Sequence, residues 1–287
     1  MRAILVGVQP SALRFLGHST VRIELAGRLV LTDPVLTRRV SALRRVVPPP
    51  RPEDYADADV VLISHLHGDH LHLPSLKLLR PDARVVVPRG AGEWVRRRGV
   101  ARVDELAVGE ELRDGALRIT AVPAAHSGHR WGPRSAHGPD APALGHVLEG
   151  DGSRVYVSGD TDLFDGMADI AAAGRLDAAL LPVWGWGPSL GPGHLTPERA
   201  AVAVGRLRPS LVVPVHWGTL AVAGLARAPG RAGARMRRLL TEPPQEFAAA
   251  VAAGSSGSRV IVARPGESAE AAIRAGRELG SRPGDAA

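Results

Sequence analysis

The sequence predicts an α/β fold in which helices cover a core of β-sheet. Short apolar runs rich in β-branched residues recur along the chain and have the length of buried strands. Segments with helical patterning separate the later runs, so that strands first cluster and then alternate with helices. This order is typical of a sheet core with helices layered on its outer faces.

Turn residues position the predicted strands. Val21–Leu25 and Leu29–Thr32 flank Gly27 and are predicted to form a hairpin, and Asp151 with Gly152 marks a second turn. The remaining predicted strands are Val60–Ser64, Arg84–Val87, Leu117–Val122, His146–Glu149, Val155–Ser158, Ala178–Val183, Leu211–Val215 and Val260–Ala263.

The predicted helix with the clearest boundaries is Pro197–Leu207. Thr196 is a favourable N-cap, Pro197 occupies the first helical position, and Glu198 complements the helix dipole. The other predicted helices are Pro74–Leu79, Gly92–Arg98, Met167–Ala173 and Glu246–Ala253. No convincing domain boundary stands out, so we expect a single domain over residues 1–265 and a partly disordered tail over residues 266–287.

The composition limits the chemistry that the chain can perform. Apolar residues make up 45% of the sequence but aromatic residues only 3%, so alanine, valine, leucine and isoleucine must build the core. The chain has no cysteine, which excludes disulfides and thiolate metal sites. Any metal must therefore be bound by histidine, aspartate or glutamate side chains.

The charge pattern does not favour a dedicated nucleic-acid domain. The formal net charge is +7, but the arginines are scattered and form no long basic stripe. An anionic small-molecule or lipid-like ester substrate remains compatible with this charge. The N-terminus lacks the features of a secretory signal, and no apolar run approaches the roughly 18 residues of a membrane span. The cytoplasm is therefore the expected location, and the sequence gives no prediction of oligomeric state.

One short segment carries most of the chemical information. The predicted strand Val60–Ser64 leads into three histidines and an aspartate with the spacing H-x-H-x-D-H, namely His65, His67, Asp69 and His70. His65 and His67 are two residues apart and can point the same way, and Gly68 allows a sharp turn. Asp69 and His70 can then face a second position, so that one loop serves two adjacent metals.

Further candidate ligands follow three later strands. His126, Asp160 and His216 each stand just after an apolar run. Sites built at strand ends bring such residues together from distant parts of a chain. The sequence therefore predicts that these three side chains join the cluster formed by residues 65–70.

This ordered set resembles the metallo-β-lactamase superfamily from about Leu13 to Thr219. The resemblance implies a four-layer αβ/βα sandwich of mostly antiparallel or mixed sheets with outer helices and a metal site at one edge. It also implies that His65, His67 and His126 bind a first metal ion. Asp69, His70 and His216 would bind a second, and Asp160 would bridge the two.

Two early segments narrow the resemblance to one branch. Phe15–Thr20 and Leu31–Pro34 are similar to segments of the N-acylphosphatidylethanolamine phospholipase D-like and ascorbate-6-phosphate lactonase-like proteins. The class with a cysteine ligand is excluded because the chain has no cysteine. The stretch between Asp160 and His216 is too short for the insert of the β-CASP branch, and no flavodoxin-like domain is present.

Two divalent metal ions are the expected cofactors, with zinc as first choice and manganese or iron as alternatives. Such a pair can ready a bridging hydroxide at neutral pH for attack on an ester bond. A phosphodiester is the favoured substrate, with lactone or carboxylic-ester hydrolysis as the alternative. A non-catalytic metal-binding protein of the same fold is a further alternative.

Additional residues complete the predicted site. Asp69 is a candidate to orient the attacking water, and His194 is a candidate proton donor to the leaving group. The segment around His194 is similar to an H-x-T segment of the tRNA 3′-processing branch, where the histidine aids phosphodiester cleavage. His18, Asp33, Trp184 and Trp186 are candidates to support ligands or line the substrate pocket, whereas His72, His129, His137 and His146 are interpreted as surface or structural residues.

Overall fold

Two mixed β-sheets face each other in the computed structural model, which describes residues 12–130 and 138–269. The strands are β1 (Leu13–Gly17), β2 (Thr20–Leu25), β3 (Arg28–Thr32), β4 (Arg39–Val40), β5 (Leu43–Arg45), β6 (Val60–Leu62), β7 (Arg84–Pro88), β8 (Val103–Leu106), β9 (Glu111–Asp114), β10 (Leu117–Pro123), β11 (Leu144–Gly150), β12 (Ser153–Val157), β13 (Ala178–Pro182), β14 (Leu211–Val215), β15 (Leu220–Val222), β16 (Arg259–Val260) and β17 (Glu267–Ser268). The helices are α1 (Leu73–Leu76), α2 (Gly92–Arg96), α3 (Met167–Ala172), α4 (Pro197–Leu207), α5 (Gly230–Leu239) and α6 (Pro243–Ala253). Short 3-10 helices span Pro52–Asp54 and Leu225–Arg227.

The strand order explains why the sheets are mixed. The first sheet has the order β17-β1-β2-β3-β6-β7-β8, and the second has the order β16-β14-β13-β12-β11-β10-β9. Hairpin connections give antiparallel pairs in one half of each sheet, and crossovers through helices or loops give parallel pairs in the other half. A third, small sheet has the order β15-β5-β4.

Both predicted turns are confirmed. β2 and β3 pair with Leu25 opposite Arg28, and Ala26 and Gly27 between them have φ angles of 54° and 68°. Asp151 and Gly152 join β11 to β12 with φ angles of 51° and 72°. Two consecutive left-handed residues are the requirement of a tight hairpin turn, which explains the glycine in each pair.

Successive side chains of the first sheet point alternately into two different hydrophobic cores. Val60 and Leu62 of β6 point into the space between the two sheets, whereas Val61 and Ile63 point towards α1 and α2. This is the two-residue period expected of a strand buried on both faces. The other side of the second sheet is covered by α3, α4 and α6, so the predicted four-layer arrangement is confirmed.

Helix α4 begins and ends as predicted. Thr196 Oγ1 accepts a hydrogen bond from the Arg199 backbone N–H at 3.3 Å, and the helix ends at Leu207 before Arg208, which has a left-handed backbone. Ala200, Val204 and Leu207 are fully buried. Packing of this apolar face against the second sheet stabilises a helix that its termini alone would leave marginal.

Several predicted boundaries were wrong. The predicted helix Pro74–Leu79 is α only over Leu73–Leu76, because the backbone N–H groups of Leu78 and Leu79 bond three residues back as in a 3-10 turn. The predicted strand Val260–Ala263 pairs with β14 only over β16.

The remaining differences are elements that the hydrophobic pattern missed. The strands β1, β4, β5, β8, β9, β15 and β17 and the helix α5 were not predicted. β8 and β9 are short strands in which charged residues interrupt the apolar pattern, and α5 contains two glycines and four arginines. Such sequences show little hydrophobic periodicity.

The predicted limit of the domain at residue 265 stays a prediction. Glu267 and Ser268 pair with β1, and Ala269 is buried, so the first residues beyond that limit extend the first sheet. None of the helices within residues 12–130 and 138–269 is both long and apolar enough to cross a membrane.

The core between the sheets should contribute directly to the stability of the protein. Leu148 on β11 is completely buried there, so Leu148→Ala should lower the free energy of unfolding by about 3 kcal/mol. Urea unfolding of the two proteins would measure the change. Leu78→Ala is the matched control, because Leu78 is 46% exposed and its truncation should change stability by less than about 0.5 kcal/mol. Equal effects of the two substitutions would contradict the assigned core.

Candidate metal centre

The predicted ligands leave the two sheets at one common edge. β3 and β6 are parallel and end next to Asp33 and His65, whereas β12, β13 and β14 are parallel and end near Asp160 and His216. Carboxyl ends of parallel strands meet at the same edge of a sheet, which is how distant residues converge. His126 follows β10 at that edge, where Ala125 pairs with Asp162.

A first group of ligand atoms comprises one nitrogen from each of three histidines. His65 Nε2 lies 3.0 Å from His67 Nδ1, and His126 Nε2 lies 3.2 Å from the same atom. The three rings meet edge to face. The three ligand nitrogens lie within 4.8 Å of one another, a spacing at which one cation could contact each of them.

A second group lies beside the first. His70 Nε2 and His216 Nε2 are 3.3 Å apart, and Asp69 Oδ2 is 3.9 Å from His216 Nε2. Asp160 Oδ2 lies 3.2 Å from both of these histidine nitrogens. Asp160 also shares a group with His65, so its carboxylate stands where it could serve both groups.

The hydrogen bonds behind the rings show that these residues fit metal ions. Four of the histidines direct Nε2 into the cluster and donate from Nδ1 to an acceptor fixed in the surrounding structure. Carbonyl and carboxylate oxygens can only accept, and the Ser64 hydroxyl gives its own proton to Asp33 Oδ2, so the Nδ1 atoms facing these oxygens carry the protons. The pairs are His65 with Ser64 Oγ (2.9 Å), His70 with Asp33 Oδ2 (2.8 Å), His126 with the Gly193 carbonyl (2.7 Å) and His216 with the Trp184 carbonyl (2.7 Å).

In the neutral rings of His65 and His216 the inward-facing Nε2 atoms are therefore lone pairs, whereas, against the effect of burial, Asp160 and Asp33 raise the pKa of His70 well above its usual value. Asp160 Oδ1 is buried and has no hydrogen-bond partner among the described residues, which leaves a further acceptor unsatisfied. A bound cation would give each of these acceptors a positively charged partner. A set of histidine and carboxylate ligands without thiols suits zinc, manganese or iron. The residues present are thus compatible with the predicted metals.

The ionisation of the cluster also suits ligation. Burial lowers the pKa of His67 to about 4 and that of His216 to about 3, and it lowers the pKa of His65 well below its usual range. These rings are neutral at pH 7, as a ligand must be. Burial opposes ionisation of Asp160, but His216 and His70 hold the pKa of that carboxyl well below its usual value.

Asp33 contacts one of the predicted ligand histidines, and its role in supporting that ligand stays a prediction. Its Oδ2 accepts hydrogen bonds from His70 Nδ1 at 2.8 Å and from Ser64 Oγ at 2.6 Å. Its Oδ1 accepts from the Ser64 backbone N–H at 2.7 Å, and its own backbone is left-handed, with φ of 34°. The carboxylate therefore fixes the beginning of the metal-binding loop as well as one ring.

His18 lies against the second group and is buried. Its Nε2 is 3.0 Å from Asp69 Oδ2, and its carbonyl accepts a hydrogen bond from the His216 backbone N–H at 2.7 Å. The backbone of His18 is left-handed, with φ of 57°, and that of His216 has φ of 62°. A single residue thus contacts two predicted ligands, and its role in support or substrate binding stays a prediction.

His194 reaches the cluster from the loop before α4. Its Nε2 lies 3.4 Å from Asp160 Oδ2, and its Nδ1 lies 3.2 Å from the carbonyls of Gly191 and Pro192. Burial opposes a positive charge, but the hydrogen bond to Asp160 and the charge of that carboxylate raise the pKa of His194. The ring is partly exposed and can therefore be reached from solvent.

The two tryptophans differ in their surroundings. Trp184 packs against the core and donates from Nε1 to the Gly187 carbonyl, and its own carbonyl accepts from His216. Trp186 is 38% exposed. Trp184 contacts the predicted ligand His216 through its backbone carbonyl and not through its indole. A role of either indole as a pocket wall stays a prediction.

Sequence reasoning missed a residue that encloses the metal-binding loop. The Arg130 guanidinium donates to the carbonyls of Leu66 and Leu71 at 2.8 Å each, and it lies over the ring of Trp94. These two hydrogen bonds hold the loop at its beginning and at its end. A single arginine in a loop rich in glycine and proline gives no sequence signal for this contact.

Two of the histidines interpreted as surface or structural are buried. His72 Nδ1 is 2.7 Å from Ser75 Oγ. His146 lies on β11 of the second sheet, and its buried Nε2 has no hydrogen-bond partner within the part of the chain that the structure describes. Burial lowers the pKa of each to about 4. Neither belongs to the groups described above, His129 is partly exposed, and His137 lies outside the described residues.

Facing mixed sheets with a cluster of histidines and aspartates at one edge define a protein that could bind metal ions there. Residues 28–217 match the family model described as the Beta-lactamase superfamily domain, so the chain belongs to the β-lactamase superfamily. The prediction of a metallo-β-lactamase superfamily hydrolase with this fold is thereby confirmed.

Individual relatives agree with this assignment. A UPF0173 metal-dependent hydrolase of Methanopyrus kandleri is 30% identical over 256 residues, which cover 89% of this chain and 98% of the relative. The N-acyl-phosphatidylethanolamine-hydrolyzing phospholipase D 1 of Caenorhabditis elegans is 31% identical over 231 residues, or 71% of this chain and 63% of that protein. Among solved structures, Igni18, a metallo hydrolase from Ignicoccus hospitalis, matches with a TM-score of 0.66 and 25% identity over 89% of this chain and 95% of its own.

The support that Asp33 gives to His70 can be tested by metal binding. Asp33→Asn keeps the shape of the side chain but removes the charge that orients the ring, so we expect metal affinity to fall by about 10- to 100-fold. Competition with a chromophoric chelator would measure it. Asp177→Asn is the control, because Asp177 bonds the Arg154 backbone N–H just before β13 begins, away from the ligands. Unchanged affinity in Asp33→Asn would contradict the role.

His146 should make the metal-free protein sensitive to acid. An unfolded histidine takes up a proton near pH 6.5, whereas folded His146 stays neutral down to about pH 4. The unfolded state therefore binds more protons between these values, and stability falls as the pH falls. His146→Leu should reduce the loss of unfolding free energy between pH 6.5 and about pH 5 by about 2 kcal/mol.

Urea titrations of chelator-treated protein at the two pH values would measure the His146 effect. Comparing the change with pH, rather than stability at one pH, separates protonation from any change in packing that leucine causes. Identical pH dependence in the variant and the unmodified protein would show that His146 does not contribute.

Proposed function

We propose that the chain is a dinuclear metal-dependent hydrolase that cleaves an ester bond, with a phosphodiester as the favoured substrate class. The observation that carries this proposal is the pair of adjacent ligand groups that share Asp160. Two adjacent groups with a shared ligand could hold two metal ions close enough to act on one substrate.

In this proposal His65, His67 and His126 hold one divalent ion, and Asp69, His70 and His216 hold the other, with Asp160 between them. Zinc is the first choice, with manganese or iron as alternatives. When bound, two such ions lower the pKa of a shared water towards 7 and polarise the ester. His18 keeps the Asp69 carboxylate in place, because its Nε2 is within hydrogen-bond distance of Oδ2.

Asp69 is proposed to orient the attacking water. Burial disfavours its charge, but the hydrogen bond from His18 and the neighbouring His70 hold the pKa of Asp69 well below its usual range. The carboxylate is therefore ionised at neutral pH and acts as a hydrogen-bond acceptor. The water then adds to the phosphorus atom and loses one proton to solvent, and the bond from phosphorus to the leaving oxygen breaks.

His194 is proposed to give the leaving oxygen its proton. Because the carbonyls of Gly191 and Pro192 accept from Nδ1, the mobile proton is the one on Nε2, which faces the cluster. Transfer of that proton neutralises the departing alkoxide. The neutral ring left behind can recover a proton from solvent, since His194 is partly exposed.

Two features support a phosphodiester over other esters. The Caenorhabditis elegans relative is named as a phospholipase D, a class of enzyme that hydrolyses phosphodiesters. The net charge of +7 also favours an anionic substrate.

The proposed reaction class can be tested directly. Elemental analysis of the purified protein should find two divalent ions per chain, and the same sample should hydrolyse bis(p-nitrophenyl) phosphate. Turnover of lactones or carboxylic esters alone would favour the alternative ester chemistry. A metal-loaded protein that hydrolyses no member of the panel would favour a non-catalytic role.

The role of His194 predicts a dependence on the leaving group. His194→Ala should lower kcat by about 10²- to 10⁴-fold for phosphodiesters with an alkyl leaving group, which needs a proton to depart. The p-nitrophenyl ester should be affected far less, because p-nitrophenolate is stable without one. Metal content equal to that of the unmodified protein would exclude a ligand role. Equal losses for both esters would contradict proton donation.

A further inference from the structure

Two segments of the chain carry many arginines and no acidic residue. Residues 34–52 and residues 217–241 each contain five arginines and neither aspartate nor glutamate. Together they hold ten positive charges, more than the net charge of +7 of the whole chain. The positive charge of this protein is therefore concentrated in these two segments, which we term the arginine region.

The two segments fold together. β5 of the first pairs with β15 of the second, with Arg44 opposite Ala221. Ala221 is buried against Met236 of α5 and Leu240, so the helix packs on the same face of the small sheet that carries Arg44. Charges far apart in sequence thus belong to one region of the surface.

Most of these charges are not neutralised within the described chain. Arg51 and Arg238 pair with Glu53 and Glu242, and the Arg45 guanidinium donates to backbone carbonyls. Seven exposed arginines have no carboxylate partner among the described residues: Arg38, Arg39, Arg44, Arg227, Arg231, Arg235 and Arg237. Arginines elsewhere are commonly paired, as in the contacts of Arg84 with Asp104 and of Arg28 with Asp114.

The arginine region adjoins the metal centre. Val40 of β4 contacts the metal-binding loop, since a Cβ on Gly68 would lie 3.9 Å from Val40 Cγ1. Arg45 Nη2 donates to the Leu16 carbonyl at 2.8 Å, two residues before His18. A ligand held by this region would therefore lie beside the edge that carries the metal ligands.

We propose that the arginine region docks the protein on an anionic membrane surface. Clustered arginines are attracted to anionic lipid headgroups, and exposed apolar side chains beside them can enter the headgroup layer. The region supplies both, because Val46 and Val222 are 42% and 36% exposed.

The side chains present favour a membrane over a nucleic acid. The two segments contain no asparagine, glutamine, lysine, tyrosine or phenylalanine, and their single aromatic residue, Trp217, is buried. Nucleic-acid surfaces use polar side chains to contact bases and aromatic rings to stack on them. Docking is independent of the proposed reaction. Its consequence, that a lipid-like ester reaches the metals from the membrane, rests on the proposed function.

Vesicle sedimentation with the full chain tests the proposal. We expect binding to vesicles of 30% phosphatidylglycerol in phosphatidylcholine, weaker binding at high salt, and none to pure phosphatidylcholine. Each arginine near an anionic surface contributes about fivefold to binding, so R38E/R44E and R231E/R235E should each bind at least about 20-fold more weakly. Hydrolysis of soluble bis(p-nitrophenyl) phosphate should stay unchanged, which distinguishes failure of docking from failure of the proposed function.

R113E/R259E is the matched control. Arg113 and Arg259 are exposed on the outermost strands β9 and β16 of the second sheet, outside the arginine region, and the substitution changes the net charge by the same amount. This control should bind vesicles as the unmodified protein does. A loss equal to that of the other variants, equal binding to neutral vesicles, or binding to an oligonucleotide without binding to vesicles would each overturn the proposal.

Discussion

The candidate metal centre depends on hydrogen bonds made on the outer side of the histidine rings. Each of four rings donates from Nδ1 to an acceptor in the surrounding structure, so its Nε2 presents a lone pair to the cluster whenever the ring is neutral. The acceptors come from four separate segments, and two of them are backbone carbonyls. The ligands are therefore correctly oriented only when both sheets and the loops after them are in place.

Contacts between the sheets keep these segments together. The Leu144 N–H of the second sheet donates to the Ser64 carbonyl of the first at 2.8 Å, and the His216 N–H donates to the His18 carbonyl. Gly159 has a left-handed backbone, and a Cβ there would lie 2.3 Å from Ser64 Cβ. Only glycine permits this approach, which brings Asp160 between the two groups of ligands.

The sequence predicted what was local or repeated and missed what depends on backbone atoms. The spacing of residues 65–70 is a local pattern, and His126, Asp160 and His216 were found because each follows an apolar strand. Helix α4 was predicted because its cap and first turn are strong signals. The carbonyls of Gly193 and Trp184 carry no side-chain signal, and the contacts of Arg130 join residues 59 and 64 positions apart. The short edge strands β8 and β9 were not predicted because charged residues interrupt their apolar pattern.

Three residues around the second ligand group, His18, Asp33 and His216, have left-handed backbones although none is glycine. Such a conformation costs a non-glycine residue of the order of 1 kcal/mol or more, which the surrounding sheets must offset. Glycine at these positions would relax the chain but would remove the imidazole or carboxylate that the centre needs. Attempts to make this protein more heat-resistant should therefore leave these three positions alone and reinforce the strands that hold them.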